Sequence, residues 1–350
     1  MTFTIWHIIG ACGIVAIIAA VIAVSTLTAC ESKPVFTIYN WEQYIDESVV
    51  EEFRKLHPEV DVVYETFSTN EDMYTKLKNG GGDYDVIFPS EYVLKKLIDE
   101  GELAELNYDN IPNLKYIAEQ CKGQDYDPEG KYTVPYMWGT LGIIYDKTKV
   151  KEDEITWDVL SGDKYKVIIM KSIRDAFAAA LASNGCSINS TNEEEVVAAR
   201  EKLSEQMKQD NFYGYGFDDI DDKMIRGEAD AALIYSGAAV VAMNENENLA
   251  YAVPKEGSNK WFDAMAIPKS SKNKELAEEF INLMCDTKYA KLNAEEIGYY
   301  SAQAEAAELI AEETGLEYPK VEELKNCEIF DTFDDETLEL YNREWTKLFA

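Results

Sequence analysis

Phe36-Thr-Ile-Tyr-Asn-Trp-Glu-Gln-Tyr-Ile-Asp46 is the stretch from which the fold of this chain is read. Val35, Phe36 and Ile38 suit an extended, largely buried strand. The strand stops at Asn40-Trp41, where a large aromatic is followed by Glu42 and Tyr44. Asp46 or Ser48 then caps a helix, and Ser48 with Glu51 has capping-box spacing. A strand that ends in a loop at a helix start is where open α/β sheets present residues to a ligand. The competing role for Trp41 and Tyr44 is filling of the core.

Downstream the same alternation repeats. Val49, Val50, Phe53 and Leu56 fall at helical spacing before His57-Pro58. A strand is expected over Val60–Thr66, then a helix capped by Asn70 and closed by Gly80-Gly81-Gly82. Tyr84–Phe88 reads as a short buried strand ending at Pro89-Ser90-Glu91-Tyr92. Tyr92–Glu100 reads as a helix stopped by Gly101. This β-α-β-α-β-α order predicts a parallel sheet covered by helices. After a loop-rich stretch, Tyr132–Tyr145 is apolar and extended, with glycines that permit bending. It is a candidate crossing between lobes. A second group follows: strand Lys166–Met170, an Ala-rich helix start at Asp175–Ala182, helix Glu193–Gln209 and strand Ala229–Tyr235. Ala250–Val253 is a candidate return crossing. Strand Trp261–Ile267, helix Asn273–Cys285 and a final helix Asp335–Phe349 complete the pattern. Two groups of βα units joined by at least two crossings describe a bilobal α/β protein with its site between the lobes.

The length of 350 residues also suits two lobes. Acids outnumber bases 66 to 33, for a formal charge of -33. That excludes the basic footprint of a nucleic-acid binder and argues against an anionic membrane surface as partner. It is compatible with a cationic ligand. Ile5–Val24 is a nearly continuous apolar run, long enough to span a bilayer. It leads into Leu27-Thr28-Ala29-Cys30, which resembles the lipobox of a bacterial lipoprotein signal peptide. The resemblance implies cleavage before Cys30 and lipid on that residue. The absence of a basic n-region leaves an uncleaved membrane anchor as the alternative. Both place residues 31–350 outside the cytoplasm, tethered to the membrane. Cys121, Cys186, Cys285 and Cys327 are widely spaced with no Cys-x-x-Cys or Cys/His cluster, so zinc and redox motifs are not expected and disulfides stay open. No cofactor or metal is expected.

Five stretches in order carry a family resemblance: Tyr39-Asn40-Trp41-Glu42-Gln43-Tyr44, Gly82-Asp83-Tyr84-Asp85-Val86-Ile87-Phe88-Pro89-Ser90, Val134-Pro135-Tyr136-Met137-Trp138-Gly139-Thr140, Trp261-Phe262-Asp263-Ala264-Met265-Ala266-Ile267-Pro268 and Ile297-Gly298-Tyr299. From about residue 35 to the C-terminus the chain resembles the spermidine/putrescine-binding proteins of bacterial ABC transporters. The resemblance implies a type II periplasmic-binding-protein fold with two mixed sheets flanked by helices and the ligand cleft between lobes. It implies a monomer that delivers a polyamine to membrane permease subunits, with no catalysis. The corresponding division is a leader over 1–30, first-lobe segments over 31–137 and 256–310, a second lobe over 138–255, and a C-terminal segment over 311–350 packing on the second lobe.

A polyamine needs aromatic faces over its methylenes and carboxylates for its ammonium groups. The resemblance assigns these roles to Trp41, Tyr44, Ser90, Tyr92, Asp175, Tyr235, Trp261, Asp263 and Tyr299. Glu42 either adds an acid to the site or points to solvent. The chain departs from the family at Lys171 and Ser172, which lack an extra acid, at Ala238, at Tyr300-Ser301-Ala302-Gln303 and at Phe330. These departures bear on which polyamine is preferred and mildly favour putrescine. The alternatives are a different small ligand in the same fold, such as another organic cation or a sugar, a receptor-docking sensor, or a secreted glycoside-acting enzyme. No nucleophile elbow, P-loop, Rossmann fingerprint or His-based dyad is present.

Overall fold

One strand ties the molecule together. β4, Thr133–Asp146, is buried along nearly its whole length and belongs to both halves of a ten-stranded sheet in this computed structural model. The structure describes residues 33–80, 82–216, 219–314 and 324–350. The leader, Cys30 and Gly81 of the expected glycine stop lie outside the described residues.

The first half of the sheet grows from β1 (Val35–Trp41), which pairs in parallel with β2 (Asp61–Phe67) and β3 (Val86–Ile87). The alternation expected from sequence is present: α1 spans Glu47–Leu56, α2 Asn70–Lys78 and α3 Glu91–Asp99. Asp46 caps α1 by accepting from the Ser48 N–H. Thr69, not Asn70, caps α2; Asn70 is its first helical residue and is buried, with its Oδ1 accepting from the Ser90 N–H. The sheet then turns antiparallel. β9 (Lys260–Ala266) pairs with β3 and with the first half of β4, which also meets β10 (Tyr300–Ser301). The strands read as parallel, β1, β2 and β3, do pair in parallel, and the sheet is mixed, as the family resemblance implies, because a late strand inserts between β3 and β4.

The second half of β4 pairs antiparallel with β7 (Ala231–Tyr235) and β8 (Leu249–Ala252). β5 (Val167–Met170) lies parallel between β7 and β6 (Phe212–Gly216). α4 (Ile173–Ser183), α5 (Glu193–Gln206), α6 (Ile220–Ile225) and α7 (Ser236–Glu245) belong to this half. α8 (Lys274–Met284), α9 (Thr287–Ile297) and α10 (Ala304–Thr314) serve the first half. α11 (Asp335–Leu348) returns to the second, against α5. Strands β6 and β10 and helices α6, α7, α9 and α10 are additions to the elements expected from sequence.

The core is divided accordingly. One hydrophobic cluster includes Phe36, Ile38, Phe53, Phe88, Trp138, Phe262 and Phe280; the other includes Leu141, Ile143, Phe177, Leu181, Leu233 and Tyr341. The change of cluster falls between Trp138 and Leu141, at Gly139-Thr140. Segment 311–350 is shared: Leu324 and Cys327 pack in the first cluster, and Phe333, Leu340 and Leu348 in the second. Among the described residues the chain thus crosses between clusters three times, within β4, after β8 and around Glu328. The crossings are stitched side by side. The Glu328 N–H donates to Ser258 O at 2.9 Å, Lys260 N–H to Glu328 O at 2.9 Å, and Leu141 N–H to Asn259 O at 2.9 Å. The four described cysteines, three buried and Cys186 half-buried, are free thiols.

Candidate functional site

A cleft of about 990 Å³ opens where the carboxyl ends of β1 and β3 face the start of α4 and the end of β7. All ten residues singled out from sequence line it: Trp41, Glu42, Tyr44, Ser90, Tyr92, Asp175, Tyr235, Trp261, Asp263 and Tyr299. Its walls come from both hydrophobic clusters.

The loop after β1 is held from within. Buried Asn40 donates through Nδ2 to Tyr44 O at 3.0 Å and accepts from the Trp41 N–H at 2.8 Å. Between them Gln43 takes φ 51°, the one left-handed non-glycine among the described residues, a conformation that surrounding bonds must hold. The Trp41 indole N–H donates to Phe88 O at 2.7 Å, fixing the ring to the end of β3 and against Phe67. Glu42 is exposed and accepts from Ser68 at 3.0 Å, so it sits at the rim. Tyr92, half-buried, donates to Glu71 at 3.0 Å.

Tyr44 turns its hydroxyl inward to Asp263, donating to Oδ2 at 2.7 Å, while Ser90 donates to Oδ1 at 2.6 Å. Asp263 is only 5% exposed. Burial pushes its carboxyl up to about 6, against the pull of the two hydroxyl donors. A backbone bridge pairs Ser90 with Asp263, which brings the next residue, Glu91, into the same wall. Glu91 Oε2 accepts from the Phe262 N–H at 3.1 Å, and the residue is 3% exposed. Its carboxyl is pushed up to about 8, first by burial and then by the negative charge of Asp263.

The aromatic wall centres on Trp261. Its ring meets Tyr299 edge-on at 4.7 Å and Tyr235 at 6.3 Å; Tyr44 lies 6.1 Å from Tyr299. Two glycines make the room. A Cβ on Gly139 would lie 2.5 Å from the Trp261 ring, and one on Gly237 2.3 Å from Tyr299. Trp261 Nε1 is buried with no hydrogen-bond partner.

On the opposite wall, Asp175 lies in the first turn of α4 and is 4% exposed. Tyr235 donates to its Oδ1 at 2.8 Å. Burial raises its pKa, while Ser172, Tyr235 and the Arg174 charge pull it down. Arg174 also lines the cleft. Its guanidinium carbon stands 3.7 Å from the Phe333 ring centre and 4.3 Å from that of Phe330. It donates to Asp331 O at 3.1 Å and Asn189 Oδ1 at 2.9 Å. Lys171 is exposed and outside the lining, and Ser172 takes its place there.

Sequence reading did not single out Glu91 or Arg174. Both occupy the first turn of helices whose N-termini point at the cleft, beside residues that were singled out. First-turn position next to Ser90 and Asp175 was the available signal. Among the described residues, no group of three or more His, Cys, Asp or Glu side chains is arranged to hold a metal ion, and no helix is long and apolar enough to cross a membrane.

Comparison with known proteins bears on what such a cleft is for. The family model for bacterial extracellular solute-binding proteins matches residues 48–323. The chain is 32% identical over 297 residues to the spermidine/putrescine-binding periplasmic protein of Escherichia coli K12, covering 83% of this chain and 84% of that one. Among solved structures, it is similar to the spermidine/putrescine ABC transporter substrate-binding protein PotD of Streptococcus pneumoniae. That match has a TM-score of 0.80, 37% identity, and coverage of 90% of this chain and 98% of PotD. A putative spermidine/putrescine ABC transporter protein of Listeria monocytogenes matches with a TM-score of 0.77 and 36% identity, covering 90% and 99%.

Proposed function

We propose that this chain, which belongs to the bacterial extracellular solute-binding protein family, binds a polyamine in its cleft and delivers it to the permease subunits of an ABC transporter, without catalysis. The observation that carries the reading is the burial of three carboxylates, Asp263, Glu91 and Asp175, in one aromatic-walled cleft. Buried acids are costly unless a cation neutralises them. The names of the relatives support a polyamine as that cation.

In this reading Asp263 takes one ammonium group, with Ser90 and Tyr44 holding the carboxylate in place. Asp175, oriented by Tyr235, takes the other. Trp261, Tyr299, Tyr235 and Trp41 cover the methylenes and attract the cations through their ring faces. Glu42 and Tyr92 frame the mouth. Two acidic poles match a diamine, and the Arg174 charge beside Asp175 opposes a third ammonium at that end. We therefore place putrescine or cadaverine ahead of spermidine. Closure of the walls about the three stitched crossings would sequester the ligand.

One observation favours a second reading. The unpaired Trp261 Nε1 is a donor, and an ammonium ligand offers it no acceptor. A sugar, or another cation with a hydroxyl or carbonyl, would satisfy it. The three buried acids outweigh this single donor. Calorimetric titration of the chain from Ser32 onward with putrescine, cadaverine, spermidine, spermine and maltose separates the readings. One-to-one binding of a polyamine supports the first; binding of maltose alone overturns it.

Leu27-Thr28-Ala29-Cys30, outside the described residues, supports attachment to the outer face of the cell membrane through lipid on Cys30. Mass spectrometry of the mature N-terminus distinguishes this from a retained anchor.

A further inference from the structure

The first-lobe wall holds two acids where one ammonium needs one. The Ser90–Asp263 bridge sets Ser90-Glu91 against Phe262-Asp263. The two segments exchange contacts: Ser90 donates to the Asp263 carboxylate, and the Phe262 N–H donates to the Glu91 carboxylate. Both acids line the cleft, and neither is more than 5% exposed. Two carboxylates buried in one wall resist ionising together. We propose that Glu91 is a further specificity-determining residue of this cleft: it carries a proton when the cleft is empty and gives it up to solvent as an ammonium group enters beside Asp263. The inference rests on the cationic ligand proposed above.

The surroundings of Glu91 fit this role. From β9, Asp263 opposes its charge; from α4, Arg174 favours it. Tyr126 in the loop before β4, Tyr235 at the end of β7 and neighbouring Tyr92 also interact with it. These three are neutral phenols at ordinary pH and oppose neither form by charge. The Arg174 guanidinium is stacked on two rings and its two terminal nitrogens donate to Asp331 and Asn189 and not to Glu91, while its buried Nε has no hydrogen-bond partner, so its effect on Glu91 is that of a charge alone. Burial and Asp263 therefore win in the empty cleft, and the carboxyl stays up to about 8. A ligand ammonium supplies the missing positive charge and reverses the balance.

The sign follows. A cation that binds only the ionised pair must displace a proton below the empty-cleft pKa of Glu91. Affinity then rises with pH, by up to about tenfold per pH unit between pH 6 and 8, and levels off above. The charge of the wall also rewards a full ammonium over a neutral hydrogen-bonding group of the same size.

The test is titration calorimetry of the mature chain with putrescine at pH 7, in two buffers of different ionisation enthalpy, for wild type and Glu91→Gln. Wild type is expected to release about one proton per putrescine, and Glu91→Gln to bind with little release and a flattened pH profile above pH 6. Thermal unfolding of the ligand-free variant checks that it folds; if it does not, Glu91→Thr replaces it. Putrescine binding with no proton released by wild type, or with equal release by the variant, overturns the inference while leaving the polyamine reading intact. No binding of any polyamine at any pH overturns that reading as well.

Discussion

On the first-lobe wall, Asp263 receives hydroxyl donors from two other segments, Tyr44 and Ser90, and has Glu91 as an acidic neighbour. On the second-lobe wall, Asp175 receives one from Tyr235 and has Arg174 as a basic neighbour. Burial raises both aspartates, but their neighbours act in opposite directions. The first wall sets two acids side by side, so that Glu91 holds a proton until a cation enters. The second is partly neutralised by its own arginine. A ligand with one strongly and one weakly held ammonium group follows from that asymmetry, with the stronger pole at Asp263.

The largest test of this contrast removes the stronger pole. Asp263→Asn should weaken putrescine binding by about 2 kcal/mol or more, the cost of losing a buried charged partner. Asp175→Asn should cost less, and calorimetry showing the reverse order would break the contrast. Trp261→Ala, which strips the surface shared by both poles, should cost about 2 kcal/mol with cooperative thermal unfolding retained. Loss of the folding transition would instead make Trp261 a core residue. Tyr235→Phe removes only the hydroxyl that orients Asp175 and should cost about 1 kcal/mol in binding; a loss as large as that of Asp263→Asn would mean that the second pole is the main one. Lys171→Ala should change binding by less than about 0.5 kcal/mol, since the side chain is exposed and outside the lining. A larger gain would place its charge in the field of the cleft.

Particular residues show how far the sequence reaches. Strand, loop and capped helix over Phe36–Asp46 were readable because buried-strand alternation and cap chemistry are local. Trp261 and Asp263 were readable through a family motif, and they stand in the cleft. Insertion of β9 between β3 and β4 was not readable, since pairing partners so distant along the chain leave no periodic trace. Thr69 takes the cap expected of Asn70, whose side chain instead accepts from the Ser90 N–H, a partner distant in sequence.

Glu42 and Glu91 mark the boundary most clearly. Each acid precedes or follows an aromatic in a loop or helix start at the end of a first-lobe strand. Sequence alone determined the βα alternation of the first lobe, the bilobal α/β plan, the acidic balance and the residue types suited to a cation. Only the tertiary structure decided that Glu42 stands in solvent at the rim while Glu91 is buried against Asp263. Ionisation depends on desolvation and on the nearest charges, and both are set by which distant segments pack together.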